Sequence, residues 1–152
     1  MATGENLKAI AQARLKSAEC LMAAGDWQGA AYMLPYSLEC ALKAVICKTL
    51  NLSVYPDNDK SKTDVRSFFS THIFLQLIVV SGLQDIFSPT GRPIPYKYWS
   101  DFTLQYPGQW VGMRYNLDTM EQFAELKVKD LYIKLTDSTD GVLTVIENEK
   151  RW

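Results

Sequence analysis

Two long amphipathic segments, separated by one helix-breaking dipeptide, limit the folds that this chain can adopt. In the first segment apolar residues recur three and four positions apart, the spacing that places side chains on one face of a helix. They are Leu7, Ile10, Ala11, Leu15, Ala18, Leu21 and Met22. Gly25 can take the left-handed conformation that ends a helix, and Asp26 can accept from the free amides that begin the next one. The pattern predicts two helices that meet at a tight turn.

The second segment predicts a helix over about residues 27–50. Its apolar face consists of Ala30, Ala31, Leu34, Leu38, Ala41, Leu42, Val45 and Ile46. Pro35 lies inside this segment, and because proline has no amide hydrogen we expect a local bend there. Together the two segments predict a long antiparallel helix hairpin.

Shorter helices are predicted after the hairpin. Residues 51–70 are mostly polar and predict a mobile loop. Ser70 or Thr71 then caps a short apolar helix over residues 72–80, which ends at Ser81 and Gly82. An aromatic-rich stretch follows, and it predicts short helices broken at Pro107 and Gly108.

The C-terminal part predicts one further helix and an ambiguous tail. Thr119 followed by Gln122 has the form of a capping box, so we expect a helix to open there. Its apolar positions are Phe123, Leu126, Leu131 and Leu135. After Asp140 and Gly141 the short apolar run fits a short helix and a strand equally well.

Length and composition favour one all-α domain over residues 1–152, a bundle of four to five helices around the hairpin. A net charge of −1 and a pI near 5.8 argue against a general polyanion binder.

We find no signal peptide and no window with the roughly 18 apolar residues of a membrane span, so we expect a cytoplasmic protein without membrane contact. The chain has three cysteines, and no two of them form a Cys-x-x-Cys pair. We interpret them as small buried hydrophobic residues: Cys20, Cys40 and Cys47. No metal and no cofactor is predicted.

Three stretches of sequence resemble the HEPN family, the higher eukaryotes and prokaryotes nucleotide-binding domain. They are AECLMAAGDWQGAAYMLPYSLECALKA at residues 18–44, THIFLQLI at residues 71–78 and WVGMRYN at residues 110–116. The most specific part is the hairpin with Gly25 and Asp26 at its turn and with Glu39 and Lys43 on its second helix. The resemblance implies a bundle of four or five helices, often assembled as a homodimer, and a nucleotidyltransferase as a possible protein partner.

The nuclease members of that family carry an arginine followed, after four to six residues, by a histidine. Arg114 matches the arginine by its place in the chain, but the residues at the required spacing are Thr119, Met120 and Glu121. His72 is the only histidine, and it matches a threonine-histidine pair that opens a helix in noncatalytic members. Alternatively, His72 has no ligand and only forms local hydrogen bonds at the start of a helix. The broken motif argues against an enzyme without excluding one.

Each candidate binding residue has a structural alternative. Glu39 and Lys43 lie four apart, which fits either a surface ion pair or a polar floor beside Arg114. Aromatic residues could stack a nucleobase or fill the core; they are Trp99, Tyr106, Trp110 and Tyr115. In the binding interpretation Arg114 holds a phosphate or carboxylate, Tyr115 supports it, and Trp110 lies beside them.

The sequence therefore favours a noncatalytic HEPN-like domain that binds a nucleotide-like ligand, RNA or a protein partner such as a nucleotidyltransferase. The alternatives are an RNA-cleaving toxin or defence nuclease with a rearranged active site, and a pure assembly module. Lysines 127, 129 and 134 alternate with Glu121, Glu125 and Asp130, which is typical of a solvated helix face and argues against the nuclease. A homodimer is also predicted, since a second face of the hairpin carries Tyr32, Tyr36, Cys40 and Cys47.

Overall fold

A computed structural model describes residues 2–56 and 69–152 of the chain, and these residues form helices and the turns between them. The α-helices are α1 (Gly4–Ala23), α2 (Trp27–Thr49), α3 (Phe74–Ser81), α4 (Pro93–Thr103), α5 (Leu117–Glu121), α6 (Glu125–Thr136) and α7 (Val142–Asn148). Leu83–Asp85 and Trp110–Tyr115 form 3-10 helices. The two described ranges contain no strand, which confirms the all-α prediction and resolves the tail as a helix. Most of the predicted mobile loop lies at residues 57–68, outside the described residues.

The turn between α1 and α2 follows the local chemistry of its residues. Gly25 has a φ of 77°, in the left-handed region that favours glycine. The Asp26 carboxylate accepts a hydrogen bond from the Gly29 amide at 2.8 Å and caps α2. Both roles were predicted, and both are confirmed.

Contacts between α1 and α2 show that the two helices run antiparallel. The buried Ser37 hydroxyl donates to the Ala11 carbonyl at 2.7 Å, near the middle of both helices. At one end of the pair Gly4 packs against Cys47, where an added Cβ would lie 3.1 Å from the Cβ of Cys47. The start of α1 therefore lies beside the end of α2, as expected of a helix hairpin.

Helix α2 is the central element of the core. Its leucines Leu34, Leu38 and Leu42 are fully buried, and α3 and α6 pack against it as well as α1. By length and hydropathy α2 could cross a membrane, but 83% of its most apolar window is buried inside the fold. A position at the centre of the core accounts for that composition.

Other parts of the same chain cover much of the α2 face that the sequence predicted to be exposed and apolar. Cys40 and Cys47 are buried, and Tyr32 and Tyr36 are half-buried against the rest of the core. The expectation of a free apolar face is therefore wrong for the two cysteines. Cys20 also differs from its prediction, because it lies on the exposed side of α1.

Two predicted helix starts are wrong. Helix α3 begins at Phe74, and the Thr71 hydroxyl accepts from the Ile73 amide just before it. The end of α3 at Ser81 and Gly82 is confirmed, with Gly82 in the left-handed conformation.

Thr119 and Gln122 do not form a capping box. Thr119 lies inside α5, whose cap is the Asn116 side chain, an acceptor for the Thr119 amide at 3.1 Å. Asn116 is also a favoured cap residue, and it begins only the short α5, three positions before the predicted cap. The helix that carries the predicted apolar positions Leu126, Leu131 and Leu135 is α6, which begins at Glu125, later than predicted.

Candidate functional site

Trp110 is the centre of an aromatic cluster on one face of α2. Its ring centroid lies 5.3 Å from that of Tyr32 and 6.4 Å from that of Tyr36, two residues one helical turn apart. On its other side the ring stacks on Phe74, with the centroids 6.3 Å apart. The Trp110 side chain is almost fully buried, so it forms part of the floor of this surface and offers no free face for a base.

Trp99 and Tyr106, two of the other aromatic candidates, also belong to the core. Both are buried, and the Tyr106 hydroxyl donates to the Ala31 carbonyl at 2.8 Å. They line one side of an apolar cleft of about 420 Å³ between α3 and α4, which does not include Arg114. The interpretation that these residues fill the core agrees with their positions.

Glu39 and Lys43 form a buried ion pair, so the alternative of a surface pair is wrong. The Lys43 ammonium donates to Glu39 Oε1 at 2.8 Å, and their side chains are only 10% and 5% exposed. His72 Nδ1 lies 2.9 Å from Oε1 and 3.0 Å from Oε2 of the same carboxylate. Because a carboxylate accepts hydrogen bonds, this contact favours the proton on Nδ1.

His72 borders the aromatic cluster as well. Its ring centroid lies 6.4 Å from that of Trp110 in an edge-on arrangement, and its side chain is 43% exposed. With Nδ1 engaged by Glu39, Nε2 is the atom left to bind a ligand or exchange a proton. The fold thus brings the only histidine to the cluster that Arg114 also borders, which residue spacing could not indicate.

Arg114 and Tyr115 project from the 3-10 helix at the edge of the cluster. Arg114 donates to the Tyr32 hydroxyl at 3.2 Å, and its Cζ lies 4.8 Å from the centroid of the Tyr115 ring. Both residues are exposed, Tyr115 at 81%. Within the described ranges no carboxylate lies within ion-pair distance of Arg114, and no backbone carbonyl accepts from it. The predicted support of Arg114 by Tyr115 agrees with this contact.

Arg14, which the sequence did not single out, occupies the neighbouring position. Its Cζ lies 6.0 Å from the centroid of the Tyr36 ring, and it too lacks an ion-pair partner among the described side chains. A signal was present, because Arg14 falls at the three-four spacing between Ala11 and Ala18 on the core-facing stripe of α1. A charged residue in such a stripe has to find a polar or aromatic neighbour.

The remaining arginines of the described chain are neutralised. Arg92 pairs with Glu149 at 2.8 Å, and Arg151 pairs with Asp85 at 2.5 Å. Arg14 and Arg114 therefore differ from them, because neither has an adjacent carboxylate among the described residues. Both lie against tyrosines of one α2 face, so positive charge is concentrated on that face.

Cys40 lies in α2 one turn after Tyr36, and its burial disfavours a role as a nucleophile. Burial raises the pKa of the Cys40 thiol to about 11, and the charge of Glu39 raises it further, while Lys43 and Arg14 act in the opposite direction. A protonated thiol reacts slowly with electrophiles. No three histidine, cysteine or acidic side chains are grouped for metal binding in the part of the chain that the structure describes.

The lysines of α6 form an ordinary solvated surface. Lys129 pairs with Glu125 at 2.6 Å, and Lys134 lies 3.6 Å from Asp101 and 3.7 Å from Asp130. The charges of Lys129 and Lys134 are thus balanced locally, in line with their alternation with acidic residues. Lys127 differs, because its ammonium lies 4.6 Å from the centroid of the Phe123 ring and has no ion pair among the described residues.

Comparisons of the chain with family models, with curated proteins and with solved structures found no significant match.

Proposed function

We propose that this chain is a noncatalytic, cytoplasmic HEPN-like helical bundle that binds the phosphate of a nucleotide-like ligand at Arg114. The observation that carries the proposal is the environment of the Arg114 side chain. Its guanidinium is exposed, held by Tyr32 and Tyr115, and not neutralised by a carboxylate of the described residues.

A guanidinium that is exposed and held in place in this way is suited to bind an anion. Its donors form a planar fork that matches two oxygens of a phosphate, and such charge-assisted bonds are stronger than neutral ones. The contacts with the two tyrosines reduce the side-chain entropy that binding would otherwise cost. The exposed ring of Tyr115 offers a surface on which a base can stack.

Thermal stabilisation by ligands tests this proposal. We expect ATP, GTP or a short RNA to raise the Tm of the wild-type protein, because a ligand that binds only the folded state stabilises it. Arg114→Ala should abolish the increase. Arg92→Ala is the matched control: it also removes one exposed arginine, and it should keep the full increase. Equal ligand-induced stabilisation of wild type and Arg114→Ala would contradict the proposal.

A nuclease with a rearranged active site is the second candidate, and the position of His72 supports it. A histidine oriented by a carboxylate, at the edge of the aromatic cluster that Arg114 also borders, is a suitable general base for RNA cleavage. The first proposal expects no turnover when short RNAs are incubated with the purified protein. Cleavage that disappears in His72→Ala and persists in Arg92→Ala would replace it with this candidate.

We further propose a homodimer, and a protein partner such as a nucleotidyltransferase remains an alternative occupant of the site. The exposed side chains of Tyr115 and Leu117 beside Arg114 support an interface there. Sedimentation at micromolar concentration should give a species of twice the monomer mass of 17.3 kDa. A monomer at that concentration would exclude the dimer and leave the Arg114 proposal unchanged.

A further inference from the structure

We infer that Arg14 is a second arm of the Arg114 site, and that the ligand therefore carries a chain of at least two phosphoryl groups. This inference rests on the proposed function, since it concerns the ligand of the same site. It adds a residue that neither the sequence motif nor the resemblance indicated, and it narrows the ligand of the site to one with at least two phosphoryl groups.

The first argument is an unmet hydrogen-bonding requirement. Arg14 Nε and Trp110 Nε1 are the buried side-chain donors that find no hydrogen-bond partner in the described residues. Tyr36 contacts both side chains, with its ring 6.0 Å from Arg14 Cζ and 6.4 Å from the Trp110 ring. Buried donors without acceptors are rare in native proteins because each costs free energy. Two such donors around one tyrosine mark a place where an acceptor is missing among the described residues, beside the half-buried side chain of Arg14.

The second argument is the spacing of the two unpaired arginines. Arg14 lies against Tyr36 and Arg114 lies against Tyr32, and these tyrosines are one turn apart on α2. The Cβ atoms of Tyr32 and Tyr36 are then about 5–6 Å apart. The two arginines therefore border neighbouring positions of one α2 face, an arrangement that suits one ligand with two phosphoryl groups.

The third argument is the charge of the surface. Glu39 is the acidic side chain known to border it, and that carboxylate is already engaged by Lys43 and His72. Arg14 and Arg114 have no counter-charge in residues 2–56 and 69–152, so their positive charges repel each other, and a multivalent anion relieves that repulsion. A ligand with two phosphoryl groups offers each arginine its own pair of acceptor oxygens.

Nucleoside triphosphates and short RNA strands share this chemistry, so isothermal titration with AMP, ATP and an RNA tetranucleotide is the test. The wild type should bind ATP at least about tenfold more tightly than AMP, the gain expected of one added charge-assisted hydrogen bond. Tighter binding of ATP than of the tetranucleotide would identify a nucleotide as the source, and the opposite order would identify RNA.

Arg14→Met keeps the aliphatic stem against Tyr36 and removes the charge. We expect it to lose most of the preference for ATP while its affinity for AMP stays within about twofold of wild type, since Arg114 is intact. Arg92→Met is the matched control and should keep the full preference. If Arg14→Met does not fold, Arg14→Lys replaces it. Lysine lacks the fork, so it should lower the ATP affinity by at least about threefold and leave AMP unaffected.

The outcomes separate the two proposals. An unchanged ATP-to-AMP ratio in the Arg14 variant, with all binding lost in Arg114→Ala, would overturn the role of Arg14 and preserve the phosphate site. Binding that is independent of Arg114, or no binding of any of the three ligands, would overturn both.

Discussion

His72 Nδ1 lies 2.9 Å from Oε1 of Glu39, although the two residues are 33 positions apart in the chain. Lys43 donates to the same oxygen at 2.8 Å from the next turn of α2. One buried carboxylate thus connects two positions of α2 with His72, two residues before the start of α3. The arrangement satisfies a charge that the core would otherwise not tolerate.

Glu39→Gln should destabilise the protein by about 3 kcal/mol, because it leaves the Lys43 ammonium buried without a counter-charge. Urea denaturation measures the change in the free energy of unfolding. Glu125→Gln is the matched control, since Glu125 and Lys129 form an i,i+4 pair that is about half exposed, and we expect a loss below about 0.5 kcal/mol there. Equal losses in the two variants would show that the Glu39 pair adds no more than a surface pair.

Gly25→Ala should cost about 1 kcal/mol in the free energy of unfolding, because its φ of 77° is unfavourable for a residue with a Cβ. A Cβ at Gly25 would meet no atom within 4 Å, so the loss measures backbone conformation alone. Gly108→Ala places its Cβ in equally open space without a positive φ, and it should be nearly neutral. Thermal melts of the two variants compare them directly.

Cys20 should react with a thiol reagent such as DTNB much faster than the other two cysteines of the folded protein. It is exposed, whereas Cys40 and Cys47 are buried and the pKa of Cys40 is raised to about 11 by burial. We expect one fast thiol at pH 8 and three in denaturant. Cys20→Ser should remove the fast phase, and a fast phase that survives this substitution would contradict the assignment.

Tyr106→Phe should lower the free energy of unfolding by about 1 kcal/mol, since it leaves the Ala31 carbonyl without a buried donor. Burial raises the pKa of Tyr106 well above its ordinary value, so the hydroxyl stays protonated and donates throughout the neutral range. Tyr115→Phe removes a hydroxyl from an exposed ring and should change stability by less than about 0.5 kcal/mol. Urea denaturation of both variants decides whether the buried hydrogen bond matters.

The hairpin was predictable because its signals are local. The three-four apolar spacing, the left-handed Gly25 and the Asp26 cap act within one or two turns of the chain, and neighbouring residues suffice to produce them. The misplaced start at Thr119 has the same local origin. Asn116 is a competing cap three residues earlier, and sequence spacing does not decide between two suitable caps.

Only the tertiary structure decided the composition of the candidate site. Arg114 contacts a tyrosine 82 positions away, and His72 reaches a carboxylate on another helix. Periodicity places Arg14 on the inner stripe of α1 but does not say that it meets Tyr36, since that contact depends on how α1 and α2 are packed. Sequence patterns determine which face of a helix turns inward. Which side chains then meet depends on the relative positions of helices far apart in the chain, and these are fixed only when the whole core is assembled.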